Sequence, residues 1–356
     1  MPQEFANLSA LLEHGRDALI DVRSPAEFEH DHLPGAINLP VLDNGERARV
    51  GTIYVQQSPF LARKIGAALV FRNAAAHIEN HLMGHDGGWR PLVYCWRGGQ
   101  RSGAFAWMLG QIGWRADSIA GGYRSYRRLV NDSLYRSALP HRLILLEGYT
   151  GTAKTELLHL LQDRGVQMLD LEGLAGHRGS LLGEMADAQP SQKAFETRLA
   201  VALNALDVAR PVLVEAESSK IGTCSLPPSL WSAMKSAPRI EIAAPLEARA
   251  AYLVRAYADI LSDAPRLKAR LEHLRAFRGN AVVDDWFAMI DAGERRGLTR
   301  ALMAQHYDPA YHKSRKAPGL GAMARIEAAS LGARGLADMA ARIEAVVAAQ
   351  DPPGTI

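Results

Sequence analysis

Along the chain, short apolar runs that end in polar groups alternate with longer segments whose apolar residues recur at spacings of three and four. Ala18-Leu-Ile-Asp-Val-Arg23 is a run of the first kind and predicts a strand that reaches a sheet edge. Ser24-Pro-Ala-Glu27 follows it, with serine at an N-cap position, proline in the first turn and a capping-box acid. His32-Leu-Pro-Gly-Ala-Ile-Asn-Leu-Pro40 predicts a turn and a second strand, and residues 61–76 have helical spacing. Pro91-Leu-Val-Tyr-Cys95 predicts a third strand and Ser118-Ile-Ala120 a fourth. In the second half, Leu143-Ile-Leu-Leu-Glu-Gly148, Pro211-Val-Leu-Val-Glu-Ala-Glu217 and Arg239-Ile-Glu-Ile-Ala243 read as buried strands. Residues 246–305 and 322–349 read as helix, and residues 351–356 as a frayed tail. Short strands alternating with helices imply an α/β class with parallel sheets covered on both faces.

Composition narrows this only a little. The 356 residues are enough for two domains, and 48% hydrophobic against 22% charged residues is ordinary for a globular chain. A net charge of +3 is compatible with an anionic partner without demanding one. Two cysteines, Cys95 and Cys224, argue against a disulfide framework and for a reducing compartment. Residues 1–17 lack the basic start and apolar run of a signal peptide, and no apolar stretch approaches the ~20 residues that span a bilayer. The expectation is a soluble cytoplasmic protein.

Two stretches carry candidate chemistry. Cys95 ends a strand and precedes a loop of Arg97, Gly98, Gly99, Gln100, Arg101 and Ser102, after which a helix-like run begins. Small residues there let backbone N–H groups curl around one point, and a helix N-terminus adds partial positive charge. A thiol so placed ionises more readily than a free cysteine, whose pKa is about 8.5. That predicts a nucleophilic or group-carrying thiolate beside an anion site, against the alternative of a buried structural cysteine. Cys224, before Ser225-Leu-Pro-Pro, is expected to be structural.

The second stretch is Gly148-Tyr-Thr-Gly-Thr-Ala-Lys-Thr155, after an apolar strand and before a helix, which is the setting of a P-loop. Backbone N–H groups from Thr150 through Gly151, Thr152 and Ala153 to Lys154 would cradle phosphates, Lys154 would reach the terminal ones, and Thr155 would bind Mg²⁺. Ala153 stands where a P-loop has glycine, so either the backbone is αR-like there or the grip is altered. Glu215 and Glu217 end a neighbouring strand, where a P-loop protein holds its metal or orients water. They are expected to face opposite ways, so that one of them serves, Glu215 being the candidate second metal ligand. His177 and Arg178, in a Gly-flanked loop, are candidates to line the same site.

Basic residues fall in three places. Arg124, Arg127, Arg128, Arg136 and Arg142 cluster with Tyr126 and Tyr135, as a linker surface or as a seam for an anionic polymer. Arg249, Arg255, Arg266, Lys268, Arg270, Arg275 and Arg278 fall in the helical section, where solvated helix faces compete with RNA contact. Lys313, Arg315 and Lys316 follow Tyr307 and Tyr311.

Asp21-Val-Arg-Ser-Pro-Ala-Glu-Phe28, His32-Leu-Pro-Gly-Ala-Ile-Asn38, the Cys95 loop and Gly121-Gly-Tyr123, in that order, resemble a rhodanese domain. Asp170-Leu-Glu-Gly-Leu-Ala-Gly-His-Arg-Gly-Ser180, Gln189-Pro-Ser-Gln192, Phe195-Glu196 and Val214-Glu-Ala-Glu-Ser-Ser-Lys-Ile-Gly222 follow the P-loop. With Glu46-Arg47 and Val50-Gly-Thr-Ile-Tyr54, the whole is similar to the tRNA 2-selenouridine synthase family, which joins a rhodanese domain to a P-loop domain. The chain departs from the family at Ala153 and near Glu217.

The resemblance implies a rhodanese-like parallel-sheet domain over 1–135, a basic linker over 136–141, and a P-loop NTPase-like domain with a helical C-terminal part over 142–350. It implies a transferase acting on wobble 2-thiouridine in the anticodon arm of tRNAs for Lys, Glu and Gln. Sulfur would be replaced by selenium from selenophosphate, by way of an S-geranyl intermediate made from geranyl diphosphate. Cys95 would take part in the selenium step, with Arg97, Gly98, Gly99, Gln100, Arg101 and Ser102 binding selenophosphate. Gly148, Thr150 to Thr155, His177 and Arg178 would hold the diphosphate, with Mg²⁺ on Thr155 and Glu215. Two competitors stay open: an ATP-dependent tRNA sulfurtransferase, and a non-catalytic tRNA-binding module with a degenerate P-loop.

Overall fold

Two parallel five-stranded sheets organise the chain, one in each of two compact units. The computed structural model describes residues 2–315 and 322–350; Lys316 and the expected tail 351–356 lie outside them. The first unit takes in Met1–Ser137 and Pro190–Asn204, the second Ala138–Gln189 and Ala205–Ile356.

The first unit contains β1 (Pro2–Gln3), β2 (Ala18–Asp21), β3 (Ala36–Asn38), β4 (Pro91–Tyr94) and β5 (Asp117–Ile119), in the order β1-β5-β4-β2-β3. Every pairing is parallel. All four residues of β4 are buried, because helices cover both faces of the strand. Ile20, Val22, Val93, Phe105, Leu109 and Trp114 form one apolar cluster. The Ser24 cap forms as expected, the Glu27 carboxylate accepting the Ser24 N–H at 3.2 Å.

The helix Gln192–Asn204 belongs to this unit although it follows the P-loop in sequence. Arg127, 9% exposed, donates to the Glu196 carboxylate, and Tyr135 Oη donates to Glu196 Oε1 at 2.7 Å. Tyr126 Oη donates to Thr197 Oγ1 at 3.1 Å. The basic and aromatic cluster after Tyr123 is therefore split: Tyr126 and Arg127 are buried packing groups, while Arg124, Arg128, Tyr135 and Arg136 stay exposed.

The second unit contains β6 (Arg142–Gly148), β7 (Met168–Leu169), β8 (Pro211–Glu215), a small hairpin of β9 (Lys220–Ile221) and β10 (Cys224–Ser225), then β11 (Arg239–Ala243) and β12 (Ala322–Glu327). Its sheet runs β12-β11-β6-β8-β7, all parallel, with β6 at the centre. Ile144, Leu146, Leu157, Leu213, Ile240 and Ile343 lie in its core. A second cluster around Trp286, Leu267, Leu271 and Leu298 holds the helical section together.

Residues 322–349 are not one helix. Ala322–Glu327 is the edge strand β12, and the helix is Ala333–Ala348. Alanine and methionine favour helix locally, but the free edge of β11 offers a ladder of backbone partners, and tertiary pairing overrides propensity. The basic residues of the helical section are occupied within the unit: Arg249 by Asp308, Arg255 by Glu156, Arg266 and Arg270 by Glu184, Lys268 by Asp291, Arg275 by Glu272 and Arg278 by His306. Several of these pairs stay partly exposed, as on a solvated helix face. No helix among the described residues is long and apolar enough to cross a membrane.

Candidate active site

Cys95 sits one residue past β4, at the carboxyl edge of the first sheet, and the helix Gln100–Ile112 starts just beyond its loop. The loop is closed by glycines. Gly98 has φ +62°, and a Cβ there would come within 2.4 Å of the Ile119 carbonyl. Gly122 has φ +57°, and a Cβ would come within 2.2 Å of the Cys95 carbonyl. The Gly121-Gly122 turn thus packs backbone to backbone against the cysteine loop, and the Tyr123 N–H donates to Cys95 O at 2.9 Å.

Cys95 is only 3% exposed and packs in one cluster with Leu42, Val70 and Phe105, a covering that the sequence does not announce. Ser102 Oγ donates to its sulfur at 3.2 Å. Burial pushes the thiol pKa up, but the Ser102 hydroxyl, the Arg101 charge and the Ser102 and Arg97 amides outweigh it, and the net shift is downward. Of the six expected anion ligands, two have partners already. Ser102, fully buried, serves the sulfur, and Arg101 Nη1 donates to Glu27 Oε2 at 3.2 Å. Arg97, Gly99 and Gln100 are exposed on the loop.

In the second unit, β6 delivers Gly148 and the helix Lys154–Gln162 begins at the expected lysine. Lys154 Nζ donates to Gly148 O at 3.1 Å, and the Thr152 N–H to Tyr149 O at 3.2 Å. Ala153 has φ 61° and ψ 32°, and among the described residues it is the only non-glycine with positive φ. Of the two alternatives the backbone is not αR-like: the loop keeps the left-handed turn that glycine would supply and strains an alanine to do so. Gly151, with φ +84°, lies against Leu253, where a Cβ would come within 2.9 Å of Cγ.

Thr155 Oγ1 donates to Glu172 Oε2 at 2.9 Å, and the Glu172 N–H donates to Glu215 Oε1 at 3.0 Å. The expectation that Glu215 and Glu217 diverge fails: residues two apart on a strand share a face, and β8 in any case stops at Glu215. The Glu217 N–H turns back to Glu215 O at 2.9 Å, and both acids converge on Glu172. Burial, then the Glu217 charge, pushes the Glu172 carboxyl up to about 7 against the opposing pull of Lys154. Burial and the Asp170 charge hold Glu215 well above the usual carboxylate range, and burial also raises Glu217. Glu215 is fully buried, and its Oε2 has no hydrogen-bond partner.

A cavity of about 510 Å³ opens over this loop, lined among others by Lys154, Thr155, Glu172, Glu217, His177 and Arg178. His177 Nδ1 accepts the Gly179 N–H at 3.2 Å, and burial, then the Arg270 charge, lowers its pKa. Arg178 grips Asp259 with two hydrogen bonds of 3.1 and 2.9 Å. Among the described residues, no cluster of three or more His, Cys, Asp or Glu forms a ready metal site. The pair Thr155 and Glu172 still fits Mg²⁺, a cation usually held by one or two carboxylates plus substrate oxygens and water.

The sequence points to no site role for Glu172, to Glu27 only as a capping-box acid, and to Arg249 only as one of a basic series. Arg249 donates to Thr150 O at 3.1 Å and to Asp308 at 3.0 and 2.8 Å, so it buttresses the P-loop from behind. Glu172 and Glu27 lay inside quoted motifs, which was a signal. Arg249 lay in a run of like arginines, and nothing local set it apart. Cys224 is fully buried, as a structural residue should be.

Comparison with known proteins finds two family models on the chain. A rhodanese-like domain matches residues 4–129, and the tRNA 2-selenouridine synthase AAA domain matches residues 141–281. Among similar proteins, the tRNA 2-selenouridine synthase of Hahella chejuensis is 34% identical over 82% of this chain and 84% of that protein. Those of Alcanivorax borkumensis (33%, covering 82% and 88%) and Nitrosomonas europaea (38%, covering 65% and 61%) behave alike. Two domain models in this order, and a third of all positions shared along most of both chains, lead to one statement. The chain belongs to the tRNA 2-selenouridine synthase family.

Proposed function

We propose that the protein is a tRNA-modifying transferase that replaces the sulfur of wobble 2-thiouridine by selenium, in tRNAs for Lys, Glu and Gln. The reading places alkylation first. The thiocarbonyl sulfur attacks C1 of geranyl diphosphate, the C1–O bond breaks, diphosphate leaves, and the nucleobase gives up its N3 proton. Selenophosphate then attacks C2 through selenium, and the C2–S bond breaks. Sulfur departs with the electron pair as geranylthiolate and takes a proton from water. Hydrolysis of the Se–P bond releases phosphate and leaves 2-selenouridine.

One observation carries this reading: the chain has two anion-compatible loops of different kinds, one built around a thiol with lowered pKa and one around a lysine and a threonine. The first suits the selenium donor. The second suits a diphosphate, gripped by Lys154 and the amides from Thr150 onward, with Mg²⁺ held by Thr155 and Glu172 rather than by the enclosed Glu215. Bound there, Mg²⁺ would neutralise leaving-group charge.

The test is mass analysis of nucleosides from 2-thiouridine tRNA incubated with the protein, Mg²⁺, selenophosphate and geranyl diphosphate, each omitted in turn, with and without ATP. The expected result is S-geranyl-2-thiouridine when selenophosphate is missing, and 2-selenouridine when all are present without ATP. Conversion that needs ATP and ignores geranyl diphosphate would refute it.

A further inference from the structure

A further concave surface opens beside the Cys95 loop. In the first unit, the helices Asn44–Gln56 and Pro59–His77 and the start of Gln100–Ile112 enclose a cavity of about 700 Å³. That is within the range of small-molecule sites, roughly 300–1,000 Å³. Its walls are apolar, with Val50, Val55, Ala67, Val70, Phe71 and Ala104 among them. Gly66 faces Val50 across the first two helices, where a Cβ would meet it in ordinary contact at 3.4 Å. Large apolar side chains on this wall stand in the open: Val55 is 83% exposed, Tyr54 50% and Phe71 41%. Trp107, 58% exposed, lies edge-on to Phe71 at 6.4 Å. Such a contiguous patch marks a binding surface.

Two further facts say what it takes. Arg47, Arg63 and Arg101 border the cavity, Arg47 and Arg101 sharing the single carboxylate of Glu27 at 3.8 and 3.2 Å, so an apolar interior is joined to a rim of net positive charge. Gln100 and Arg101 belong to the Cys95 loop, and the wall residues Leu42 and Val70 also pack in the cluster that holds Cys95. The groove therefore shares its wall with the thiol site. Its shape suits a short branched alkenyl chain attached to a polyanion.

We infer that this groove seats the alkenyl chain of the S-alkylated nucleoside during selenium exchange, with the sulfur end toward Arg101 and the Cys95 loop. This rests on the alkylation-first reading given above. When the C2–S bond breaks, the sulfur keeps the electron pair, gains a proton from water and departs as a thiol whose chain already lies in the groove. The arginines serve RNA phosphate and the selenium donor. The groove thereby selects alkylated over unalkylated nucleoside for the second step, and the P-loop need not hold the chain at that stage.

The experiment uses the full chain and Ala67→Glu and Val55→Glu variants, exposed wall positions where a carboxylate can be added without disturbing the core. Anticodon stem-loop RNAs carrying S-geranyl- or S-methyl-2-thiouridine are given with selenophosphate, and 2-selenouridine is followed by mass. Wild type is expected to favour the geranyl substrate in kcat/KM by at least about tenfold, since each buried methylene contributes favourably. Both variants should lose that preference through KM, while geranyl transfer to 2-thiouridine RNA stays within about twofold. Binding of the two modified nucleosides to wild type and variants is measured by calorimetry in parallel. Geranyl-selective binding that Ala67→Glu abolishes, with no selenium exchange in any protein, supports the groove and sinks the alkylation-first reading. Variants that keep the chain preference overturn the groove assignment. So does a loss of self-association in sedimentation with that preference intact, which would make the patch an interface between copies.

Discussion

At the scale of single residues, the two candidate sites are shaped by atoms that do no chemistry. Ser102 is fully buried and directs its hydroxyl at the Cys95 sulfur. A Ser102→Ala protein should show a higher thiol pKa, read as an upward shift in the pH midpoint of Cys95 alkylation by iodoacetamide; an unmoved midpoint would mean that the hydroxyl does not stabilise the thiolate. Ala153 carries its strain in the native state only. Ala153→Gly should raise stability by ~1 kcal/mol, seen as a higher denaturant midpoint with an unchanged slope. Cys95, Lys154 and Thr155 were legible in the sequence because their neighbours announce them: a glycine-rich loop after an apolar strand has few other uses. That Arg101 would turn to Glu27, and Ser102 to the sulfur, was not legible. Both choices depend on side chains brought together by the fold.

At the scale of elements, the end of β8 decides the electrostatics beside the P-loop. Residues two apart share a strand face, so Glu215 and Glu217 leave the end of β8 on one side and gather there with Glu172. Glu172, pushed up to about 7 by burial and the Glu217 charge, lies beside the candidate phosphate loop. Without Mg²⁺, binding of inorganic diphosphate should weaken as pH rises through about 7, because the ionised Glu172 repels it. Glu172→Gln should flatten the wild-type excess in that pH dependence, and added Mg²⁺ should reverse it, since the cation prefers the ionised acid. Isothermal titration across pH 6 to about 8 measures this. The same scale explains the misread segment at 322–349. Its residues favour helix by themselves, and only the exposed edge of β11 makes Ala322–Glu327 a strand. Central strands such as β4 and β6 were legible because burial on both faces leaves an uninterrupted apolar run.

At the scale of the molecule, the order of the two motif sets along the chain gave the two-part organisation away, but not the path between the parts. The segment Pro190–Asn204 returns to the first unit after the P-loop has been made. Nothing in Glu196 or Thr197 says that they will meet Arg127 and Tyr126, roughly seventy positions earlier. A fragment of residues 1–137 keeps the Arg127–Asp31 pair at 3.6 Å but loses the hydrogen bonds of Arg127 and Tyr126 to Glu196 and Thr197. It should be less stable, by about 1 to 2 kcal/mol, than the same fragment with residues 190–204 tethered to it. Denaturant unfolding of the two fragments measures the difference, and equal midpoints would show that the helix adds nothing.

That returning helix also sets a timetable. A ribosome that has finished residue 137 has not yet supplied everything its first product requires. The nascent rhodanese-like half must wait, incomplete, until the phosphate loop and some forty further residues have emerged. A first half inherited, swapped or expressed as a free-standing module cut at residue 137 gives up part of its stability, and the gene is expected to tolerate fission poorly at the very place where its two motif sets suggest a seam.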